Sequence, residues 1–309
     1  CIVMLKNAGN VISSAGIDGK VYIPQRFASG AVAQSFGADF ASNYFDVITD
    51  TVGAPSGETD DKGNTAYKPE DITALTADEL KDVKYAIVGV ENPQDAYQGV
   101  VGGVSFRALI MGGDVSSDPA VYHPISLQYR PFTADGDYIA KESLNPVDEM
   151  GVKENRSCYG ESTFATNESD LDMVIRVRQS IPADAKLILV VDDERPMCFH
   201  EIEPYCDAIL MGFSSGHGNL YTEAFAHIIS GQVEPTGLLP NQMPNGMQTV
   251  YEQQQDVPRD AECYTDSEGN TYDFAFGMNW AGPISDERTK TYGAAPLLVP
   301  ETTVKADAE

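Results

Sequence analysis

The chain has 309 residues, enough to bury a sizeable core, and 47 acidic against 20 basic side chains give a net charge of −27. Such a surface repels nucleic acid, anionic membranes and phosphorylated substrates, all of which need clustered Lys and Arg, whereas a neutral ligand such as a sugar suits it. No stretch reaches the roughly 18 consecutive apolar residues that span a bilayer.

Ile2-Val3-Met4-Leu5-Lys6-Asn7, followed by Ala8-Gly9, reads as the last turn of a helix closed by glycine. An apolar run directly after Cys1 predicts a boundary that other sequence precedes. Val21-Tyr22-Ile23 predicts a short strand stopped by Pro24. Residues 38–48 fit either a helix or a strand, and 53–70 are rich in turn formers. Thr76, with Glu79 three positions on, has the spacing of a capping box and predicts a helix start. Tyr85 to Val90 is uninterrupted and apolar, as in a strand buried on both faces. Residues 92–165 are dense in Gly and Pro; a structureless loop of that length is rare in a compact domain, so the stretch is expected to be a functional or folded insertion.

Regular pattern resumes with a helix near 167–178, Asn167 as its cap and Leu171, Val174 and Ile175 facing inward. Lys186–Val191 and Asp207–Phe213 are two further buried strands, and 219–230 is an amphipathic helix ended by Gly231. Alternation of buried strands with helices predicts a three-layer α/β/α sandwich around a mostly parallel sheet. The domain is expected over residues 1–292, with 293–309 as a disordered tail and no internal repeat. Five cysteines, odd in number and widely spaced, read as free thiols; this favours a reducing compartment and leaves periplasmic or exported locations open. The four histidines, at 123, 200, 217 and 227, lack metal-ligand spacing.

Leu187–Val191 ending in Asp192-Asp193 invites comparison with the first strand of a response-regulator receiver. That reading fails, because no Lys follows until Lys290 and the strand lies late in the chain.

An ordered set of segments carries a better resemblance: Ile2–Asn7, Arg195-Pro196, Glu203-Pro204-Tyr205-Cys206-Asp207, Ile228-Ile229-Ser230-Gly231, Pro235-Thr236-Gly237-Leu238-Leu239-Pro240, and the aromatic run Tyr272–Trp280, expected as a strand ending in glycine. Together they resemble the C-terminal α/β domain of family-three glycoside hydrolases. The resemblance implies exo-acting, retaining hydrolysis of β-linked glucosides, with no cofactor. Retaining enzymes use a nucleophile and an acid/base about 5–5.5 Å apart. In that family the nucleophile is an Asp on a barrel domain, and eight βα units do not fit beside an α/β domain in this chain. The implied partners are therefore a carbohydrate substrate and an N-terminal barrel, domain or chain; homo-oligomerisation is left open.

Glu91 leads as acid/base, at the carboxyl end of an apolar strand, where open α/β sheets place their active loops. Glu154 is second. The Lys153-Glu154-Asn155-Arg156 run resembles the charged stretch that borders the family's sugar site, with Asn155 and Arg156 as substrate contacts, but an adjacent Arg favours a paired carboxylate. Glu161 is third. Tyr97, Phe106, Tyr122, Tyr129, Phe132, Tyr138 and Tyr159 either stack on sugar or fill a small core in the insertion. The alternative in another class is a noncatalytic module that stabilises a barrel or binds carbohydrate.

Overall fold

The computed structural model describes residues 2–28, 30–33, 36–94, 100–101, 104–105, 124–141, 157–193, 195–213, 219–254, 257 and 259–293. An eight-stranded sheet runs through it: β1 (Ile2–Asn7), β2 (Lys20–Ile23), β3 (Asp46–Thr49), β4 (Tyr85–Glu91), β5 (Lys186–Asp193), β6 (Ala208–Phe213), β7 (Met278–Asn279) and β8 (Gly282–Pro283). The spatial order is β8-β7-β1-β6-β5-β4-β2-β3. The five strands from β6 to β3 are parallel, and β1, β7 and β8 complete the other end antiparallel.

Successive side chains of a strand point to opposite faces. Leu187, Leu189 and Val191 of β5 share one core with Ala86, Val88, Ile209 and Met211, while Ile188 and Val190 share another with Ile87, Ala208 and Leu210. Both faces are covered, which is why these strands lack the alternation of a half-exposed sheet. Helix α2 (Glu168–Ser180) covers the first face through Leu171, Val174 and Val177. Two helices, α1 (Ala38–Ala41) and α3 (Asn219–Ile229), cover the second, the latter through Phe225, Ala226, Ile228 and Ile229. The three-layer α/β/α sandwich is as expected. The 38–48 stretch divides between α1 and β3.

Four local expectations change. Ile2–Asn7 is a strand, not a helix end: its two sides enter different cores, Val3 and Leu5 one and Ile2 and Met4 the other, which a helix of that length cannot do. Thr76 and Glu79 do form reciprocal bonds (Thr76 N–H to Glu79 Oε2 2.8 Å, Glu79 N–H to Thr76 Oγ1 3.4 Å), but they close an isolated turn. β4 begins at Tyr85, so the chain has no length in which to propagate a costly helical nucleus. The aromatic run Tyr272–Trp280 is mainly irregular loop, with strand only at β7, because its backbone bonds go to another loop: Leu239 N–H to Phe276 O at 2.7 Å and Ala275 N–H to Leu239 O at 2.9 Å. A Cβ on Gly277 would lie 2.2 Å from Gly237 O, so the two motif segments meet where only glycine fits.

The fourth change concerns repetition. Thr59–Thr65 and Thr265–Thr271 share the pattern Thr-Asp-x-x-Gly-Asn-Thr and fold alike. In each, the Asp carboxylate accepts the amides two and four residues on, at 2.9 and 2.8 Å, the flanking threonines pair, and the Gly takes φ near +84° or +85°. The residues from 294 onward lie outside the described ones.

Among the described residues, two charged pairs are buried on both sides. Lys6 of β1 bonds Glu203, which also accepts Tyr264 Oη at 2.9 Å and Ser267 Oγ at 2.8 Å; Glu203 is 1% exposed. The other pair is Arg26–Asp170.

Candidate functional site

β2, β3, β4 and β5 run parallel, so their carboxyl ends share one edge of the sheet, and that edge carries the polar residues. Glu91 is the last residue of β4, and its side chain is 42% exposed. Arg26, just past the end of β2, is buried and turns its guanidinium on two carboxylates. Its Nε and Nη2 meet Asp170 Oδ1 and Oδ2 at 2.6 and 2.9 Å, a bidentate pair, and its Nη1 meets Glu91 Oε1 at 3.1 Å. Burial disfavours charge on Arg26, yet the hydrogen bonds and charge of Asp170 and the nearness of Glu91 hold its pKa above the ordinary arginine range. Burial pushes the Asp170 carboxyl up, against the pull of Arg26, Asn167 and the Glu91 amide.

The backbone around Glu91 is held equally closely. Its N–H donates to Asp170 Oδ2 at 3.3 Å, and its carbonyl accepts Tyr129 Oη at 2.6 Å and Asn167 Nδ2 at 3.3 Å. Asn167 holds the N-cap position of α2, as expected, but its side chain makes no cap bond. Its side chain instead bridges elements, donating to Asn92 O and Asp170 Oδ2, both at 3.0 Å, and accepting Gln94 N–H at 2.7 Å. Tyr129 is fully buried, and its own N–H donates to Glu201 Oε2 at 2.6 Å. Asp50, past the end of β3, accepts Tyr22 Oη at 2.6 Å and the Gln25 and Leu75 amides at 3.1 and 3.0 Å. Glu91 is thus fixed at its amide, carbonyl and carboxylate while keeping solvent access, the arrangement of a positioned acid, base or ligand contact.

Of the other predicted site residues, Glu154, Asn155 and Arg156 lie outside the described residues, as do Tyr97, Phe106, Tyr122, His123 and His217. Glu161 borders a small two-stranded antiparallel sheet of Phe132–Thr133 with Ser162–Thr163, its carbonyl accepting the Ala134 N–H at 2.9 Å. Phe132 stacks on Tyr251 with centroids 5.8 Å apart, and Tyr138 lies 6.4 Å from the same ring, so these two build a small core of the insertion. Tyr159 lies under Lys141. Among the described residues no group of His, Cys, Asp or Glu has the geometry of a metal site. No helix of the described residues is long and apolar enough to cross a membrane.

Sequence reasoning missed Arg26 and Asp170, and it gave Asn167 only a capping role. A signal for Asp170 existed: it shares a helical stripe with Val174 and Val177, and a carboxylate on an apolar stripe requires a buried partner. Nothing in the sequence tells that this partner is Arg26, 144 positions away.

No protein-family model matches the chain. Over 128 residues it is 23% identical to the probable beta-glucosidase C of Aspergillus flavus and, to the same extent, to that of Aspergillus oryzae, a match covering 41% of this chain and 18% of theirs. Similar solved structures include a β-glucosidase of Erythrobacter marinus (TM-score 0.46, 15% identity, 90% of this chain and 33% of that one). Others are a β-glucosidase of Listeria innocua (0.42, 10%, 90% and 32%) and a GH3 β-glucosidase of Bifidobacterium adolescentis (0.38, 14%, 83% and 28%). The chain therefore spans less than a fifth of the curated relatives it matches. It resembles β-glucosidases in sequence, and the family-three resemblance of its motifs agrees with that match.

Proposed function

We propose that this chain is the α/β domain of a retaining, exo-acting β-glucosidase, in which Glu91 is the acid/base and a barrel domain, not among these residues, supplies the Asp nucleophile. The observation that carries the reading is Glu91 itself, held through backbone and carboxylate at the carboxyl edge of the sheet and still 42% exposed. Double displacement needs a group that first protonates the departing aglycone oxygen and then takes a proton from water. Such a group must be held within hydrogen-bond reach of the glycosidic oxygen, and the contacts of Arg26, Asp170 and Tyr129 limit where Glu91 can move. Arg26 acts as a positioning residue. Sugar is neutral, which agrees with the acidic surface.

One observation favours a second reading. Glu91 accepts a guanidinium at 3.1 Å, and ion pairing is a sufficient reason for an Asp-Arg-Glu cluster in a noncatalytic module that steadies a barrel or binds carbohydrate. Kinetics of Glu91→Gln in the barrel-containing protein separate the two. As proton donor, Glu91 is worth about 10²–10⁴-fold on alkyl glucosides, and its loss has little effect on the glycosylation step with 2,4-dinitrophenyl glucoside, whose leaving group needs no proton. A uniform loss on both substrates, or none, refutes the acid/base role.

A further inference from the structure

Beside Arg26 a cleft of about 300 Å³ opens between α2 and the segments 25–27 and 69–74. Its size is at the lower bound for small-molecule sites. Glu91 is not among the residues that line it. Phe27, Ile72 and Met173 give it apolar walls, and Gln25, Asp172 and Arg176 give it a polar rim. Arg176 donates through Nη1 to Tyr22 Oη at 3.2 Å and stands 3.5 Å from Asp50, with its side chain 35% exposed. Asp172 accepts Arg130 at 2.6 Å through one oxygen and is 60% exposed. A guanidinium, a carboxylate and an amide around apolar walls are groups that bind adjacent hydroxyls on a ring whose C–H faces are apolar. The lining charges balance, Arg26 and Arg176 against Asp170 and Asp172, so no net field calls for an ion. The chain's charge of −27 works against an anion.

We propose that this cleft is a second carbohydrate site, taking one neutral sugar ring, which shares Arg26 and Asp170 with the Glu91 cluster but is not lined by Glu91. That the ligand is a sugar rests on the carbohydrate reading above; that a neutral polyol fits rests on the cleft.

The test is a titration of the full chain, carrying ¹³C-methyl methionine, with methyl β-D-glucoside, myo-inositol and glucose 6-phosphate. The glucoside is expected to shift the Met173 methyl saturably and more tightly than the other two. Ser169→Trp, at an exposed position on the cleft mouth, and Arg176→Met are each expected to weaken it at least tenfold, with thermal melts confirming that both variants fold. An unmoved Met173 signal, or binding untouched by both substitutions, overturns the site. Inositol binding as tightly as the glucoside overturns its assignment to sugars. Neither result bears on the acid/base role, which the leaving-group comparison decides alone.

Discussion

Asp60 and Asp266 perform the same local task under different conditions. Each closes a Thr-Asp-x-x-Gly-Asn-Thr turn by accepting two backbone amides. Asp60 is exposed, and the bonds from Asn64 hold its carboxyl below the usual range. Asp266 is 6% exposed and accepts in addition the hydroxyl of Tyr272, itself fully buried, at 3.1 Å. Removing an acceptor costs most where its donors are left dry. Asp266→Ala is therefore expected to lose roughly 1–3 kcal/mol in urea denaturation, and Asp60→Ala clearly less. Equal losses would mean that the buried Tyr272 contact contributes nothing. The turn pattern was present in the sequence; which copy is buried was not. The same division applies to Glu91. Its place at a strand end follows from the apolar run before it, whereas its contacts with Arg26 and Asp170 join residues 65 and 79 positions apart.

Strand β1 shows how an element departs from a local reading. An apolar run ending in Lys, Asn and Gly suits a helix end, and local propensity is a weak prior when both sides of a segment are buried. Lys6 also carries its charge into the core, which requires a partner. Glu203 supplies it from the short turn before β6. Burial alone raises the Glu203 carboxyl, but Lys6, Ser267 and Tyr264 together bring it below the ordinary glutamate range. A folded-state pKa below the unfolded one gives stability that is present above about pH 4.3 and is lost as pH falls through the folded value. Glu203→Gln leaves the Lys6 ammonium buried without its countercharge and is expected to cost about 3–5 kcal/mol at pH 7. It is also expected to flatten the acid limb of stability below pH about 4. Thermal melts from pH 7 to 3 check both, and a variant with an unchanged acid slope would rule out Glu203 as a source of acid sensitivity.

At the scale of the whole molecule, 47 acidic residues on one chain repel one another. The Debye length shrinks from about 30 Å at 0.01 M salt to about 8 Å at 0.15 M, so screening relieves much of that repulsion. The melting temperature is expected to rise between those salt concentrations; a flat or falling value in calorimetry would place the stabilising ion pairs ahead of the repulsion.

The sandwich was legible from sequence because its cause is local: runs such as Leu187–Val191 are apolar at every position, short and rich in β-branched residues, which suits a strand covered on both faces. The family-three resemblance was legible for a similar reason, since its motifs are short segments in a fixed order. Tertiary structure decided the rest. It made a strand of Ile2–Asn7, turned Tyr272–Trp280 into a loop paired with Leu239, gave the Asn167 side chain bridging bonds in place of a cap bond, and assembled Arg26, Asp170 and Glu91. Each of these depends on a partner distant in sequence, and burial, which sets the strength of a hydrogen bond or ion pair, exists only once the chain has closed on itself.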